Sequence, residues 1–180
     1  MGCDIHAFIE YKSNQVDINF NSFTDGEINI PRDYKIFSAI ALGEGGIDDD
    51  VLFKTRGLPL NCSSAARELF FDDAEAVKKD SSLGNENYLW NDEEELQDLV
   101  DVFGEVISEE YIKRNRLPNV DFYGASWLNF NELLGALKHW NIQIENLSAE
   151  FRAVLATMQI LSEKFEIENV RLVFWFDGAG

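Results

Sequence analysis

The sequence has few cysteines, few prolines and no long apolar run. Two cysteines among 180 residues cannot build a disulfide scaffold, and three prolines with twelve aperiodic glycines exclude collagen-like and low-complexity chains. No segment contains about 18 consecutive apolar residues, so the sequence predicts no membrane-spanning helix. The start carries no secretory signal pattern, so we expect a cytoplasmic protein in which Cys3 and Cys62 are reduced.

Basic residues are also scarce. The chain has 15 lysines and arginines against 33 aspartates and glutamates, a formal net charge of −18 at pH 7. Because phosphate binding requires clustered basic side chains, this balance argues against direct binding of nucleic acid or of an anionic membrane surface. A basic partner, a metal ion and no charged partner at all remain open, since a large net charge also serves to keep a protein in solution. The 46% hydrophobic content is too high for a disordered chain, so a packed core is expected.

Apolar and polar residues alternate near both ends of the chain. This pattern predicts a first strand over residues 3–11, with its odd-numbered face in the core, and a last strand over 170–177. The last strand is apolar on most of both faces, which is typical of a central strand. Helical spacing and capping residues predict helices over 33–42, 64–71, 91–103, 108–114, 129–140 and 148–165.

Shorter elements complete the predicted organisation. We expect a hairpin from the first strand to residues 16–20, a strand at 120–123 and a long surface loop over 43–59. No internal repeat or linker divides the chain. The prediction is therefore a single α+β domain over residues 1–180, in which a small antiparallel or mixed sheet contains the first and last strands and packs against about five helices.

Several widespread functional motifs are missing. The chain contains no Walker phosphate loop, dinucleotide-binding fingerprint, Gly-x-Ser-x-Gly elbow or His-Glu-x-x-His pair. A four-ligand zinc site would need Cys3, His6, Cys62 and His139, whose spacing matches no zinc framework. Cys3 and His6 also lie on opposite faces of a regular strand, so they cannot form a local nucleophile and base.

The two end strands supply the candidate site. If they pair antiparallel, Asp4 and His6 come close to Trp175 and Asp177, and Trp175 is then expected to contact a ligand. Two carboxylates and an imidazole can hold a divalent cation or act as acid and base, so Asp4, His6 and Asp177 are the catalytic and metal-binding candidates. The alternative is that a neighbouring carboxylate binds His6 as part of the fold.

Arg56 is a second candidate for ligand binding. Its guanidinium group precedes Gly57 and Pro59 on a constrained turn and suits a bidentate carboxylate or phosphate. In so acidic a chain, an internal salt bridge is the alternative. Ser126-Trp127-Leu128 precedes a predicted helix and is interpreted as the approach to that helix.

Five motifs in order along the chain carry a family resemblance: Met1-Gly2-Cys3-Asp4-Ile5-His6, Arg32-Asp33-Tyr34, Arg56-Gly57-Leu58-Pro59, Ser126-Trp127-Leu128 and Val173-Phe174-Trp175-Phe176-Asp177. With them the chain resembles a family of small, largely uncharacterised phage and bacterial proteins that open with Met-Gly-Cys-Asp-Ile-His. The resemblance implies a phage or bacterial setting but no particular reaction. Relatives in that family often carry histidines just before Ser-Trp-Leu, where this chain has Tyr123 and Ala125.

Three functions follow from these observations. The first is a non-catalytic binding protein whose acidic surface engages a basic protein partner, in a phage setting by imitating the charge of DNA. The second is a metal-assisted hydrolase that uses Asp4, His6 and Asp177, with Arg56 receiving an anionic substrate group. The third is a structural or oligomer-forming protein, which would require Trp90, Trp127 and the Phe70–Phe71 pair to be exposed together.

Overall fold

The computed structural model describes residues 4–40, 52–71, 97, 100, 101, 103–107, 110, 118 and 122–178. Its strands and α-helices are, in chain order, β1 (Asp4–Tyr11), β2 (Asn21–Ser22), α1 (Tyr34–Ile40), α2 (Ser64–Phe70), β3 (Phe122–Asn129), α3 (Phe130–His139), α4 (Ala149–Phe165) and β4 (Val170–Asp177). Short 3-10 turns at Ile144–Asn146 and Ile167–Asn169 flank α4.

The four strands form one sheet in the order β2-β1-β4-β3, and all neighbours are antiparallel. The first and last strands are the two central ones, paired without interruption from Asp4 opposite Asp177 to Tyr11 opposite Val170. The predicted α+β fold, with these strands side by side, is confirmed. Four α-helices lie in the described ranges rather than about five, and the helices predicted over 91–103 and 108–114 fall mostly outside those ranges.

Three helices cover one face of the sheet. Helices α1, α3 and α4 pack their apolar stripes onto the odd-numbered side chains of β1 and the even-numbered ones of β4. The buried members of this core on the strands are Ile5, Ala7, Ile9, Leu128, Val170, Leu172, Phe174 and Phe176. Because burial of apolar area is the main favourable term in folding, this face anchors the strand pair on which the site depends.

The opposite face is buried as well. Phe8, Val173 and Trp175 pack against Phe70 of α2 and against the described residues Phe103, Val106 and Ile107. Every residue of β4 from Val170 to Phe176 is buried, which confirms that β4 is a central strand. The odd-numbered core face of β1 is also confirmed, but its even-numbered face includes the buried residues Phe8 and Glu10.

The caps of the two longest described helices agree with the sequence. Asn129 and Glu132 form a reciprocal capping box at the start of α3. The Ser148 hydroxyl accepts a hydrogen bond from the backbone N–H of Phe151 at the start of α4. None of the helices in the described part of the chain combines the length and the apolar character that crossing a bilayer requires.

Four local predictions were wrong. Residues 16–20 form no strand, and the hairpin partner of β1 is the two-residue strand β2. Strand β3 continues to Asn129, so Ser126-Trp127-Leu128 belongs to the sheet. The helix predicted over 64–71, with Ser64 as its cap, is instead capped by Ser63. Within the predicted surface loop 43–59, residues 57–59 are buried, because Leu58 donates its backbone N–H to the carbonyl of Phe103 and inserts into the core.

Candidate functional site

The candidate site lies at the end of the sheet where β1 begins and β4 ends. Asp4 is directly opposite Asp177, and His6 is directly opposite Trp175. Phe122 at the start of β3 is the partner of Asp177 on its other side. Since directly paired residues in antiparallel strands present their side chains to the same face, all five share one face of the sheet. The antiparallel arrangement required by the sequence hypothesis is therefore present.

His6 is held by a carboxylate from outside the sheet. Its Nδ1 atom lies 2.6 Å from Oε2 of Glu27, which precedes an extended segment alongside β1. Ile28 donates its backbone N–H to the carbonyl of Ala7, and Ile30 forms a bridge with Ile5, so this segment is fixed against the strand. In a neutral imidazole, a carboxylate that accepts the Nδ1 proton leaves Nε2 as the nitrogen with a free lone pair.

The other ring nitrogen of His6 is the unusual atom of the site. His6 Nε2 is buried and has no hydrogen-bond partner among the described residues. It lies 3.9 Å from Oδ2 of Asp177, which is beyond hydrogen-bond distance. The imidazole stacks on Trp175 with ring centroids 5.5 Å apart, and it contacts Phe122 at 5.3 Å. The imidazole therefore lies between aromatic neighbours, whereas the Asp177 side chain is 28% exposed.

Asp4 is engaged by Arg32. The Nε and Nη2 atoms of Arg32 donate to the two carboxylate oxygens of Asp4. These hydrogen bonds lower the pKa of Asp4, and the charge of Arg32 adds to the effect. Because Arg32 occupies both carboxylate oxygens, Asp4 is less available for a cation than Asp177.

No complete metal cluster is present in the part of the chain that the structure describes. It contains no group of three or more His, Cys, Asp or Glu side chains arranged to hold a metal ion. Cys62 is buried in the second core, and desolvation there raises the pKa of its thiol to about 12, so it is neither a reactive thiolate nor an available ligand. Cys3 lies outside the described residues, and His139 is exposed on α3.

Arg56 makes the internal ion pair that the sequence left open. Its Nη1 and Nη2 atoms lie 3.0 and 2.6 Å from the two carboxylate oxygens of Glu132. Burial raises the pKa of Glu132, but hydrogen bonds from Arg56 and from the backbone N–H of Asn129 outweigh this and lower it. Arg56 also lies 4.5 Å from the ring of Trp127. Its guanidinium group thus joins β3 to α3. None of the contacts described for Arg56 is with a residue at the His6 end of the sheet.

Sequence reasoning missed a buried charge pair on the same sheet face. Arg171 of β4 donates to Glu10 of β1 at 2.9 Å from Nε and 2.8 Å from Nη2. The other carboxylate oxygen of Glu10 accepts from the backbone N–H of Ser63, and Asn61 accepts from the guanidinium group. The Arg171 guanidinium also lies 3.6 Å from the Phe20 ring. Burial lowers the pKa of Arg171, while Glu10 opposes that change.

Glu27 was also missed, although a signal for it exists. The short apolar alternation Ile28–Ile30 indicates an extended segment, and pairing that segment with β1 would have placed the preceding carboxylate beside His6.

The aromatic surface predicted for the oligomer-forming alternative is mostly buried where the structure describes it. Phe70 and Phe71 are fully buried, Trp127 is half-buried, and Trp90 lies outside the described residues. The exposed surface required for the oligomer-forming alternative is therefore not formed by Phe70 and Phe71.

Comparisons with known proteins add no assignment. Neither protein-family models, nor curated proteins, nor solved structures give a match to this chain.

Proposed function

We propose that the protein is a metal-assisted hydrolase whose centre is the sheet end at His6 and Asp177. One observation carries this proposal: His6 Nε2 is buried without a hydrogen bond, 3.9 Å from the Asp177 carboxylate, while Nδ1 is held by Glu27. Histidines that bind metal ions usually donate their other ring N–H to a carboxylate, which fixes the tautomer and strengthens the ligand, and Glu27 holds this position at His6.

The distance between the two ligand atoms suits a shared cation. Two atoms that each bind Zn²⁺ at about 2.0–2.1 Å in a tetrahedral arrangement lie about 3.4 Å apart. The observed separation is 3.9 Å, so the partly exposed Asp177 side chain would have to move by about 0.5 Å to share a cation with His6. Imidazole favours Zn²⁺ and carboxylate oxygen suits Mn²⁺, and both ions lie above Mg²⁺ as candidates because one of the two ligands is a nitrogen.

Two protein ligands leave several coordination positions for solvent and substrate. A cation held in this way can lower the pKa of a bound water and polarise the bond to be hydrolysed. In this arrangement, Glu27 acts through His6 and does not itself bind the cation. Asp4, the third candidate from the sequence, stays paired with Arg32 and is not a ligand of the cation in this proposal.

Zn²⁺ or Mn²⁺ is expected to raise the melting temperature of the protein. A ligand that binds only the folded chain adds about 2.7 kcal/mol when its concentration is 100 times the dissociation constant. For a chain of 180 residues, this corresponds to an increase of about 5–10 °C. The measurement is thermal unfolding followed with and without each cation.

The two histidines of the chain provide a matched pair of variants. His6→Gln should lose the stabilisation, whereas His139→Gln, which changes an exposed residue of α3, should keep it. An equal shift in both variants would mean that cations bind the acidic surface without using His6. No shift in the unmodified protein with either cation would contradict the proposed site.

The net charge favours a second candidate function, the binding of a basic protein partner. Residues 72–121 contain 15 of the 33 acidic side chains and only 5 of the 15 basic ones. Such a concentration of negative charge steers a basic partner and makes its association dependent on salt. In a phage setting, imitation of the charge of DNA would serve to occupy a nucleic-acid-binding protein of the host.

Neutralising one block of this charge should weaken such binding. Replacing the acidic residues Asp92–Glu95 with Asn and Gln removes four negative charges from the segment. The unmodified protein should capture a basic protein from bacterial extract at about 0.15 M salt, and the variant should capture less of it or none. Salt at that concentration screens attraction beyond about 8 Å, so binding depends on the charges that lie close to the partner. The control neutralises four exposed glutamates elsewhere, at positions 145, 150, 163 and 166. Equal capture by both variants would contradict a role for the segment.

A further inference from the structure

Helix α4 carries a mostly apolar outer face on the side away from the sheet. The exposed residues of this outer face are Ala149, Arg152, Ala153, Ala156, Ile160 and Glu163. With 3.6 residues per turn, they fall within about 100° of the helix circumference. Ile160 is 65% exposed, and the alanines beside it leave room for a bulky side chain from outside.

The apolar members of the outer face have the spacing of a helix pair. Ala149, Ala153, Ala156 and Ile160 are separated by four, three and four residues, which is the alternation of the two apolar positions in a heptad. Small side chains at such positions let two helices pack closely. A single exposed apolar residue needs no explanation, but a stripe with this spacing fits the surface of another helix.

The charges on α4 are balanced, unlike those of the whole chain. The chain has 33 acidic and 15 basic side chains, whereas α4 has two of each, Glu150, Arg152, Glu163 and Lys164, all exposed. Arg152 is near the start of the outer face and Glu163 near its end, about 16 Å apart along the helix axis. Because a base and an acid stand at opposite ends, the outer face is complementary to an antiparallel copy of itself.

We propose that two copies of the protein pair through the outer faces of their α4 helices, which lie antiparallel across a two-fold axis. Arg152 of each copy then meets Glu163 of the other, so the symmetry forms the same ion pair twice. The register that sets position 152 opposite 163 also sets Ile160 opposite the gap between Ala153 and Ala156. Helical geometry places Arg152 and Glu163 along one edge of the outer face and Ile160 along the other, so both contacts form together.

The pair is expected to be weak. A helix of 17 residues is about 25 Å long, so one helix pair buries less than about 1,200 Å², the lower limit of standard-size interfaces. The net charge of −18 on each copy adds long-range repulsion, which salt at about 0.15 M screens beyond about 8 Å. The protein is therefore monomeric when dilute, and its stability in dilute solution is that of the single chain.

Sedimentation equilibrium at about 0.15 M salt, with protein concentrations up to about 1 mM, measures the pairing. The unmodified protein should approach the mass of two chains as its concentration rises, and Ile160→Glu should stay a monomer. Because Ile160 is largely exposed, this variant should keep its fold, which circular dichroism verifies. In the matched control Leu60→Glu, a 43% exposed residue beside α2 is changed, and pairing should be retained.

Charge reversal tests the antiparallel register. Arg152→Glu and Glu163→Arg each set like charges opposite one another and should weaken pairing at least about 10-fold. Since Glu163→Arg lowers the net negative charge, a loss in that variant cannot come from general repulsion. An equimolar mixture of the two variants should form mixed pairs, and the double variant should recover pairing with itself.

The remaining outcomes would overturn the proposal. A protein that stays monomeric at every concentration has no such pair. Pairing that persists in Ile160→Glu would place the contact on another surface. Loss of pairing in Ile160→Glu without recovery in the double charge variant would contradict the antiparallel register.

Discussion

Replacement of Arg171 by Met is expected to destabilise the protein by about 3–5 kcal/mol, because removing one member of a buried ion pair leaves the other charge without compensation. Glu10 is completely buried and Arg171 is 5% exposed, so water cannot replace the lost partner. The guanidinium group also anchors Asn61 and packs on Phe20, so the effect extends to the segments that cover this face. Urea-induced unfolding measures the difference in free energy.

Two further variants identify the cause of that loss. Arg152→Met changes an exposed residue of α4 and should alter stability by no more than about 0.5 kcal/mol. The double variant Glu10→Met with Arg171→Met removes both charges and should recover a large part of the loss, since apolar replacements of buried pairs are often tolerated. A loss below about 1 kcal/mol in Arg171→Met would show that the pair contributes little.

Replacement of Gly57 by Ala should reduce stability by about 2–5 kcal/mol, the sum of left-handed strain and overpacking against a rigid neighbour. Gly57 has a φ angle of +73°, where side chains are disfavoured. A Cβ atom there would lie 2.5 Å from the backbone nitrogen of Gly104 and 2.6 Å from the carbonyl carbon of Phe103. Backbone atoms cannot rotate away as a side chain can, so the contact between residues 57 and 104 must open.

Gly26 provides the matched control for this prediction. A Cβ atom at Gly26 meets nothing within 4 Å, so Gly26→Ala should be neutral or stabilising by up to about 1 kcal/mol. Thermal or urea unfolding of the two variants compares the same chemical change in two settings. Similar stabilities for both would contradict the close approach at Gly57.

Strands and helices with strong periodicity could be predicted from the sequence. The alternation of β1, the two-sided apolar pattern of β4 and the caps at Asn129 and Ser148 are local signals, and each corresponds to the structure. The antiparallel neighbours β1 and β4 were proposed as a condition for the site, and the register confirms them. Strand β3 was too short in the prediction, because a helix cap at its end concealed that Ser126–Leu128 still pair with β4.

The components of the site that depend on distant segments could not be predicted. Glu27 reaches His6 only because residues 28–30 are bound alongside β1, a contact that no local pattern specifies. Arg171 and Glu10 are charged residues within alternating strand patterns, and each pattern alone would place its charged residue at the surface. Both are buried on the second face of the sheet because their charges compensate each other. Arg56 was identified as a candidate for ligand binding, but its partner Glu132 carries only the sequence signal of a helix cap. In the structure, Glu132 accepts hydrogen bonds both from Arg56 and from the backbone N–H of the cap residue Asn129.

The central position of β4 has a consequence for synthesis of the chain. Until residues 170–177 leave the ribosome, strand β1 can pair only with β2 and with the segment at residues 28–30, because its long partner β4 is the last of the four strands of the sheet in chain order. Both faces of β1 carry apolar side chains that stay without cover during that interval. Contacts between residues so far apart in sequence form slowly and favour aggregation of incomplete chains. Nascent chains that end before β4 should therefore be protease-sensitive and depend on chaperones.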